Sequence, residues 1–137
     1  MKYRLLDHTA DLAVEVTAPN PETLYADTGL VLFNLISESK HFKQKKELHL
    51  DVKGQDREDL MVNWLRELLY LWTGKEMLVV AVQVINLSET RLFARVMVDL
   101  FSPDRHVILN EIKAVTYHRI SVEKGRKGWA AVVVFDI

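Results

Sequence analysis

Apolar residues recur along the chain with two different periods, and the period separates expected strands from expected helices. A period of two runs from Leu12 to Thr17 and again through KELHLDVK, the segment Lys46–Lys53. Such alternation is typical of strands with one buried face. Further strands are expected at Met77–Val84, Leu92–Val98, Ile112–His118 and Trp129–Phe135.

Two segments instead repeat their apolar residues at the spacing of an α-helix. The first begins at Pro21, with Asn20 as a candidate N-cap and Glu22 placed favourably for the helix dipole. The second begins near Asp56, and Gly74 is expected to end it. Its apolar stripe consists of Leu60, Met61, Trp64, Leu65, Leu68, Leu69 and Trp72. The two tryptophans of this stripe are therefore expected in the core rather than on an exposed stacking surface.

Two early helices followed by a run of strands predict an α+β fold in two layers, with the helices packed on a largely antiparallel sheet. The last strand is apolar on both faces, so we expect it in the centre of the sheet rather than at an edge. KGRKG, the segment Lys124–Gly128, supplies the turn of a final hairpin. No repeat or linker divides the sequence, and residues 1–137 are expected to form one domain.

The composition is that of an ordinary globular protein, and it narrows the possible functions. The formal net charge is −1, so no overall positive field draws the protein to nucleic acid or to an anionic membrane. The absence of Cys excludes disulfides, thiolate metal sites and a cysteine nucleophile. No signal peptide and no stretch long enough to cross a bilayer is found, so the expected location is the cytoplasm.

Acidic groups lie in unusual positions near both ends of the sequence. Asp136 and Ile137 directly follow the apolar last strand, and Asp11 directly precedes the first strand of the alternating pattern. Oxygen donors from these three residues would suit a hard cation such as Ca²⁺, Mg²⁺ or Mn²⁺ better than Zn²⁺. The alternative is that the acids are turn or capping residues, since their separation along the chain does not show that they meet.

Four pieces of the sequence together resemble the archease family. They are LDHTADLAVEV near the start, DREDLMVNWLRELLYL on the second helix, EIKAVTYH at Glu111–His118 and the terminal FDI. Archeases are small non-catalytic activators of the RtcB-type RNA ligase. That enzyme uses GTP and a divalent metal to join an RNA 3′-phosphate or cyclic phosphate to a 5′-hydroxyl. The resemblance implies a protein that promotes guanylylation and multiple turnover of this ligase in tRNA splicing and RNA repair.

The resemblance also implies a site. The family binds a metal through the aspartate of its HTAD motif, its penultimate aspartate and its last residue, which are Asp11, Asp136 and Ile137 here. Ca²⁺ is favoured, with Mg²⁺ or Mn²⁺ as alternatives, and on this interpretation the end of the chain is itself a ligand. Lys113 takes the place of a lysine that acts in partner activation, although a surface lysine without a role is an equal alternative. His8 is expected to orient a carboxylate, the alternative being a capping or core histidine.

Three functions stay open on the sequence. The first is the ligase activator, which would contact RNA only indirectly through the ligase and would not contact a membrane. The second is a chaperone or specificity modulator of an RNA methyltransferase. The third is a metal-dependent phosphatase or nuclease, although the sequence shows no Gly-rich phosphate loop and no nucleophile with its base. The basic segments Ser39–Glu47 and Lys124–Gly128 are expected to be solvated rather than to bind RNA phosphates.

Overall fold

The computed structural model describes residues 1–6, 11–39, 42–43 and 46–137, and in this part of the chain two helices pack on antiparallel strands. The helices are α1 (Pro21–Ile36) and α2 (Arg57–Lys75). The strands are β1 (Lys2–Leu6), β2 (Leu12–Ala18), β3 (Ser37–Ser39), β4 (Lys46–Lys53), β5 (Met77–Leu87), β6 (Arg91–Leu100), β7 (His106–Ile108), β8 (Ala114–Val115), β9 (Ser121–Gly125) and β10 (Gly128–Asp136).

The strands are divided among several sheets, and all of the pairings are antiparallel. The largest sheet has the order β1-β2-β10-β8, with β9 also paired to β10. A second sheet has the order β4-β6-β5, and β3 pairs with β7. The predicted α+β class is therefore confirmed, with the strands distributed over more than one sheet.

The last strand, β10, is central as predicted. It pairs with β2 along one side and with β8 and β9 along the other. Val133 and Val134 point to opposite faces of this strand, and both are 0% exposed. A strand that is dry on both faces needs apolar residues at every position, which explains the unbroken run.

The first helix begins where its capping residues predict. Asn20 Oδ1 accepts a hydrogen bond from the Thr23 N–H at 2.8 Å, and Pro21 opens the first turn. The helix approaches α2 closely at Gly29, where an added Cβ would lie 2.7 Å from Leu68 Cδ1. These local and tertiary features place α1 against α2.

The second helix also begins as predicted but ends later. Asp56 caps it by accepting from the Asp59 N–H at 2.8 Å. Gly74 does not end it, because the helix runs to Lys75 and Glu76 adopts the left-handed C-cap conformation with φ 54°. The Glu76 carbonyl accepts from the Phe101 N–H at 3.0 Å, so pairing with the end of β6 decides where the helix stops.

The core lies between the helices and the sheets, and both tryptophans of α2 contribute to it. Trp64 is 0% exposed and donates its indole N–H to the Tyr25 carbonyl at 2.8 Å. Trp72 is half-buried and packs edge-on against Phe101 with ring centroids 5.4 Å apart. The prediction that they are core residues is confirmed.

Candidate metal and partner-activation site

Two of the predicted site residues, Asp11 and Asp136, lie at the ends of two strands that pair in the largest sheet. The antiparallel register of β2 and β10 runs from Ala18 opposite Trp129 to Leu12 opposite Phe135. Asp136 is the last residue of β10, and Asp11 directly precedes β2. Opposite residues of antiparallel strands have Cβ atoms about 4.5–5.5 Å apart. The register continued by one residue would set Asp11 opposite Asp136, and the proximity of their carboxylates stays a prediction.

Lys113 reaches the same end of the sheet through the short strand β8. Ala114 pairs with Asp136, and the Lys113 N–H donates to the Asp136 carbonyl at 2.8 Å. This hydrogen bond places the Lys113 backbone beside Ile137. Lys113, Asp136 and Ile137 are all exposed.

The strand predicted for Ile112–His118 is shorter than expected. Only Ala114–Val115 is paired as a strand. The buried residues Ile112 and Val115 stand three apart, which does not fit the alternation of a strand. Lys113 precedes this strand instead of lying on it.

The two aspartates border the buried core at this end of the sheet. Phe135 is 0% exposed and Val115 is 1% exposed, so the two carboxylates lie at the rim of a dry core. Carboxylates that lie close together repel one another unless a cation neutralises them.

The donor set fits a hard metal ion. Carboxylate oxygens are the ligands that Ca²⁺, Mg²⁺ and Mn²⁺ prefer. Within the described ranges, no group of three or more His, Cys, Asp or Glu side chains is arranged to hold a metal. The third donor of the predicted set would be a terminal carboxylate and not a side chain, so Asp11, Asp136 and Ile137 stay a prediction that the geometry accommodates.

The fold and the sequence both match one family. The profile of the Archease protein family (MTH1598/TM1083) matches residues 3–137. The chain belongs to the archease family. A protein archease of Methanosarcina mazei is 34% identical over 140 residues, covering 99% of this chain and 96% of that protein. A protein archease of Archaeoglobus fulgidus is 33% identical over 139 residues and covers 100% of both.

A solved structure shares the archease fold seen here. It is the solution structure of Methanobacterium thermoautotrophicum protein 1598, with a TM-score of 0.81, 20% sequence identity and 98% coverage of each chain. Neither helix in the described residues is long and apolar enough to cross a membrane.

Some predicted residues lie outside the described part of the archease chain. His8 is one of them, so its expected orienting role stays a prediction. The basic segment Ser39–Glu47 is described only in part. The other basic segment forms the turn between β9 and β10, as predicted, and its Lys124, Arg126 and Lys127 are exposed.

Sequence reasoning did not identify the side chains of α2 that hold the segment of Lys113. Asp59, Asn63 and Arg66 are spaced four and three residues apart, so they share one polar face of the helix. The sequence alone therefore shows that these three polar residues share a helix face. It does not reveal their partners, because Val115 and Tyr117 are distant in sequence.

Proposed function

We propose that this archease is a non-catalytic protein cofactor of an RtcB-type RNA ligase in the cytoplasm. It promotes GTP-dependent guanylylation and multiple turnover of the ligase, and it contacts RNA only through the ligase. The observation that supports the proposal is that β10, which ends at Asp136, pairs with β2, which begins directly after Asp11. The Lys113 N–H donates to the Asp136 carbonyl at the same strand end. Membership of the archease family supports it.

In this proposal Asp11, Asp136 and Ile137 hold a divalent metal, Ca²⁺ first and Mg²⁺ or Mn²⁺ as alternatives. The metal supplies the positive charge that allows several carboxylates to stand close together. The chain supplies a rigid support, because Phe135 immediately before the acidic end is completely buried. An exposed acidic tip on a fixed strand end suits insertion into a partner's active site.

The acidic tip and Lys113 have complementary roles in the proposed activation. The carboxylates help to position the ligase's own Mn²⁺ and thereby the triphosphate of GTP. The Lys113 ammonium meets a negative group of the ligase or of its nucleotide. Neither role makes or breaks a covalent bond, so the activator itself is not an enzyme.

A multiple-turnover assay tests the proposal. The protein is mixed with an RtcB-type ligase, GTP, Mn²⁺ and RNA, and product is counted per ligase molecule. The wild-type protein is expected to raise the count and Asp136→Asn to abolish most of the increase. Asp104→Asn, at an exposed turn outside the site, serves as the matched control and is expected to behave as wild type. A product count that wild-type protein leaves unchanged contradicts the proposal.

The two other functions have distinct outcomes. An effect on the solubility or site choice of an RNA methyltransferase that survives Asp136→Asn would favour the chaperone alternative. Hydrolysis of phosphate esters or RNA by the isolated protein with Mn²⁺ would favour a metal-dependent phosphatase or nuclease.

A further inference from the structure

The segment that carries Lys113 is held against α2 by three side chains that have no role in the proposed function so far. The Tyr117 hydroxyl donates to Asp59 Oδ1 at 2.6 Å. The Arg66 guanidinium lies over the Tyr117 ring, 4.9 Å from its centroid. Arg66 also donates to the Val115 carbonyl, from Nη2 at 3.1 Å and from Nε at 3.3 Å. We call Asp59, Arg66 and Tyr117 the α2 clamp.

Asp59, which accepts the hydrogen bond from Tyr117, is itself held in place by further hydrogen bonds. Asp59 lies in the first turn of α2, where its Oδ2 accepts from the Gln55 N–H at 2.9 Å and from Asn63 Nδ2 at 3.4 Å. The hydrogen bond from Tyr117, followed by the one from Gln55, lowers the pKa of Asp59. Its carboxylate is therefore ionised at neutral pH, and charged acceptors make stronger hydrogen bonds than neutral ones.

On the side away from α2, the segment that carries Lys113 is hydrogen-bonded to β10. The Lys113 N–H donates to the Asp136 carbonyl at 2.8 Å. Thr116 donates to the Val134 carbonyl from its N–H at 3.1 Å and from its hydroxyl at 2.8 Å. Because strand pairing in this segment covers only Ala114 and Val115, these contacts and the clamp must hold the rest of it.

The clamp residues are not explained by core burial. Tyr117 is 47% exposed and Arg66 is exposed, so their contacts exclude little apolar surface from water. A guanidinium stacked on a ring and aimed at a backbone carbonyl instead fixes direction, since its planar donors accept few geometries. The backbone direction at Val115 in turn sets where Lys113 lies relative to Asp136.

We propose that Asp59, Arg66 and Tyr117 are positioning residues, which hold Lys113 in the direction from which it acts on the partner beside the acidic strand end. This inference rests on the proposed function, because it assigns a purpose to Lys113. It adds that α2, which contributes no residue to the proposed metal site, takes part in activating the ligase.

A coupling experiment on ligase guanylylation tests the inference. Tyr117→Phe removes one hydroxyl and keeps the ring under Arg66. It is expected to lower the maximal guanylylation rate roughly three- to tenfold, the range that loss of one hydrogen bond produces. Asp59→Asn keeps an oxygen acceptor and is expected to retain most of the rate, whereas Asp59→Ala is not. Tyr70→Phe, which removes an exposed hydroxyl elsewhere on α2, is the matched control and is expected to have no effect.

The decisive comparison uses Lys113→Ala as the background. If the clamp acts by positioning Lys113, the loss caused by Tyr117→Phe disappears once the lysine side chain is gone, because coupled residues are not additive. A loss of the same size in both backgrounds overturns the inference, as does a full maximal rate for Tyr117→Phe.

Amide hydrogen exchange on the isolated protein tests, in the absence of the ligase, whether the clamp stabilises the segment of Lys113. Tyr117→Phe is expected to speed exchange at Lys113 and Thr116, whose N–H groups bond to β10, while Tyr70→Phe leaves both unchanged. Unchanged exchange in Tyr117→Phe overturns the clamp and leaves the proposed function intact. A wild-type protein that fails to stimulate the ligase overturns the proposed function, while this measurement still reports on the clamp.

Discussion

His106 Nε2 donates to Asp99 Oδ2 at 2.9 Å, and the side chains of both residues are 0% exposed. The Ser102 N–H donates to His106 Nδ1 at 2.8 Å, so the ring proton is on Nε2 and the imidazole is in the neutral tautomer. Asp99 accepts further hydrogen bonds from Arg105 and from the Lys43 N–H. One buried carboxylate thus ties the end of β6 to the start of β7 and to residue 43.

Removing this carboxylate is expected to destabilise the fold severely. Asp99→Ala leaves Arg105 and His106 without their shared acceptor, and breaking a buried pair costs about 3–5 kcal/mol. The free energy of unfolding, measured by urea titration, is expected to fall by that amount. Asp104→Ala in the exposed turn between these strands is the control, and we expect it to stay within about 0.5 kcal/mol of wild type. An equal effect of the two substitutions would refute the role assigned to Asp99.

The same carboxylate predicts a dependence of stability on pH. Burial alone would raise the pKa of Asp99, but the hydrogen bonds from Arg105, the Lys43 N–H and His106 outweigh it and lower the pKa in the folded state. Its contribution is therefore fully present above the unfolded pKa of about 3.9 and is lost as the pH falls towards the folded pKa. The stability difference between wild type and Asp99→Asn is expected to be constant near neutral pH and to shrink below about pH 4. A difference that grows on acidification would contradict this sign.

Metal binding by the isolated protein is expected to depend on both aspartates of the sheet end. Asp11→Asn and Asp136→Asn each remove the charge of a proposed ligand, and the affinity for Ca²⁺ in titration calorimetry is expected to fall about tenfold or more. Two glycines added after Ile137 replace its terminal carboxylate by a peptide group and are expected to weaken binding as well. Asp104→Asn should bind as wild type does, and an equal loss for this control would show that Ca²⁺ binds elsewhere.

The hairpin between β9 and β10 requires glycine at only one of its two glycine positions. Gly128 has φ 130°, and an added Cβ would lie 2.6 Å from the Ala18 carbonyl oxygen. Gly128→Ala is therefore expected to lower the free energy of unfolding by about 2 kcal/mol. Gly125→Ala is the matched control, since its added Cβ would meet only an ordinary contact at 3.7 Å. Equal melting temperatures for the two variants would show that the turn relaxes without cost.

Much of the fold could be predicted because its signals are local. Asn20 and Asp56 cap their helices through hydrogen bonds to residues three positions away, and the alternation over Lys46–Lys53 marks that strand at its observed bounds. The motifs LDHTADLAVEV and EIKAVTYH likewise indicated the archease family before any geometry was known. Periodicity and capping act over a few residues, so they can be recognised in the sequence.

Other predictions failed where distant contacts decide the outcome. Gly74 has the residue type that commonly ends a helix, but a hydrogen bond from Phe101 to the Glu76 carbonyl marks the actual end. The alternation also gives no sign of a feature that was not predicted at all, the burial of Asp99 at an outward position of its strand by groups from outside that strand. The pattern of apolar and polar residues within a strand carries no information about which other parts of the chain cover its outward face.

The sequence by itself determined the two capped helices, the central position of the last strand and the family. Only the tertiary structure decided that Leu12 pairs with Phe135, that the Lys113 backbone bonds to the end of β10 and that Tyr117 reaches Asp59 on α2. The physical reason is that helix caps and strand periods arise from neighbouring residues. Strand register and contacts between a loop and a helix depend on how the whole chain packs.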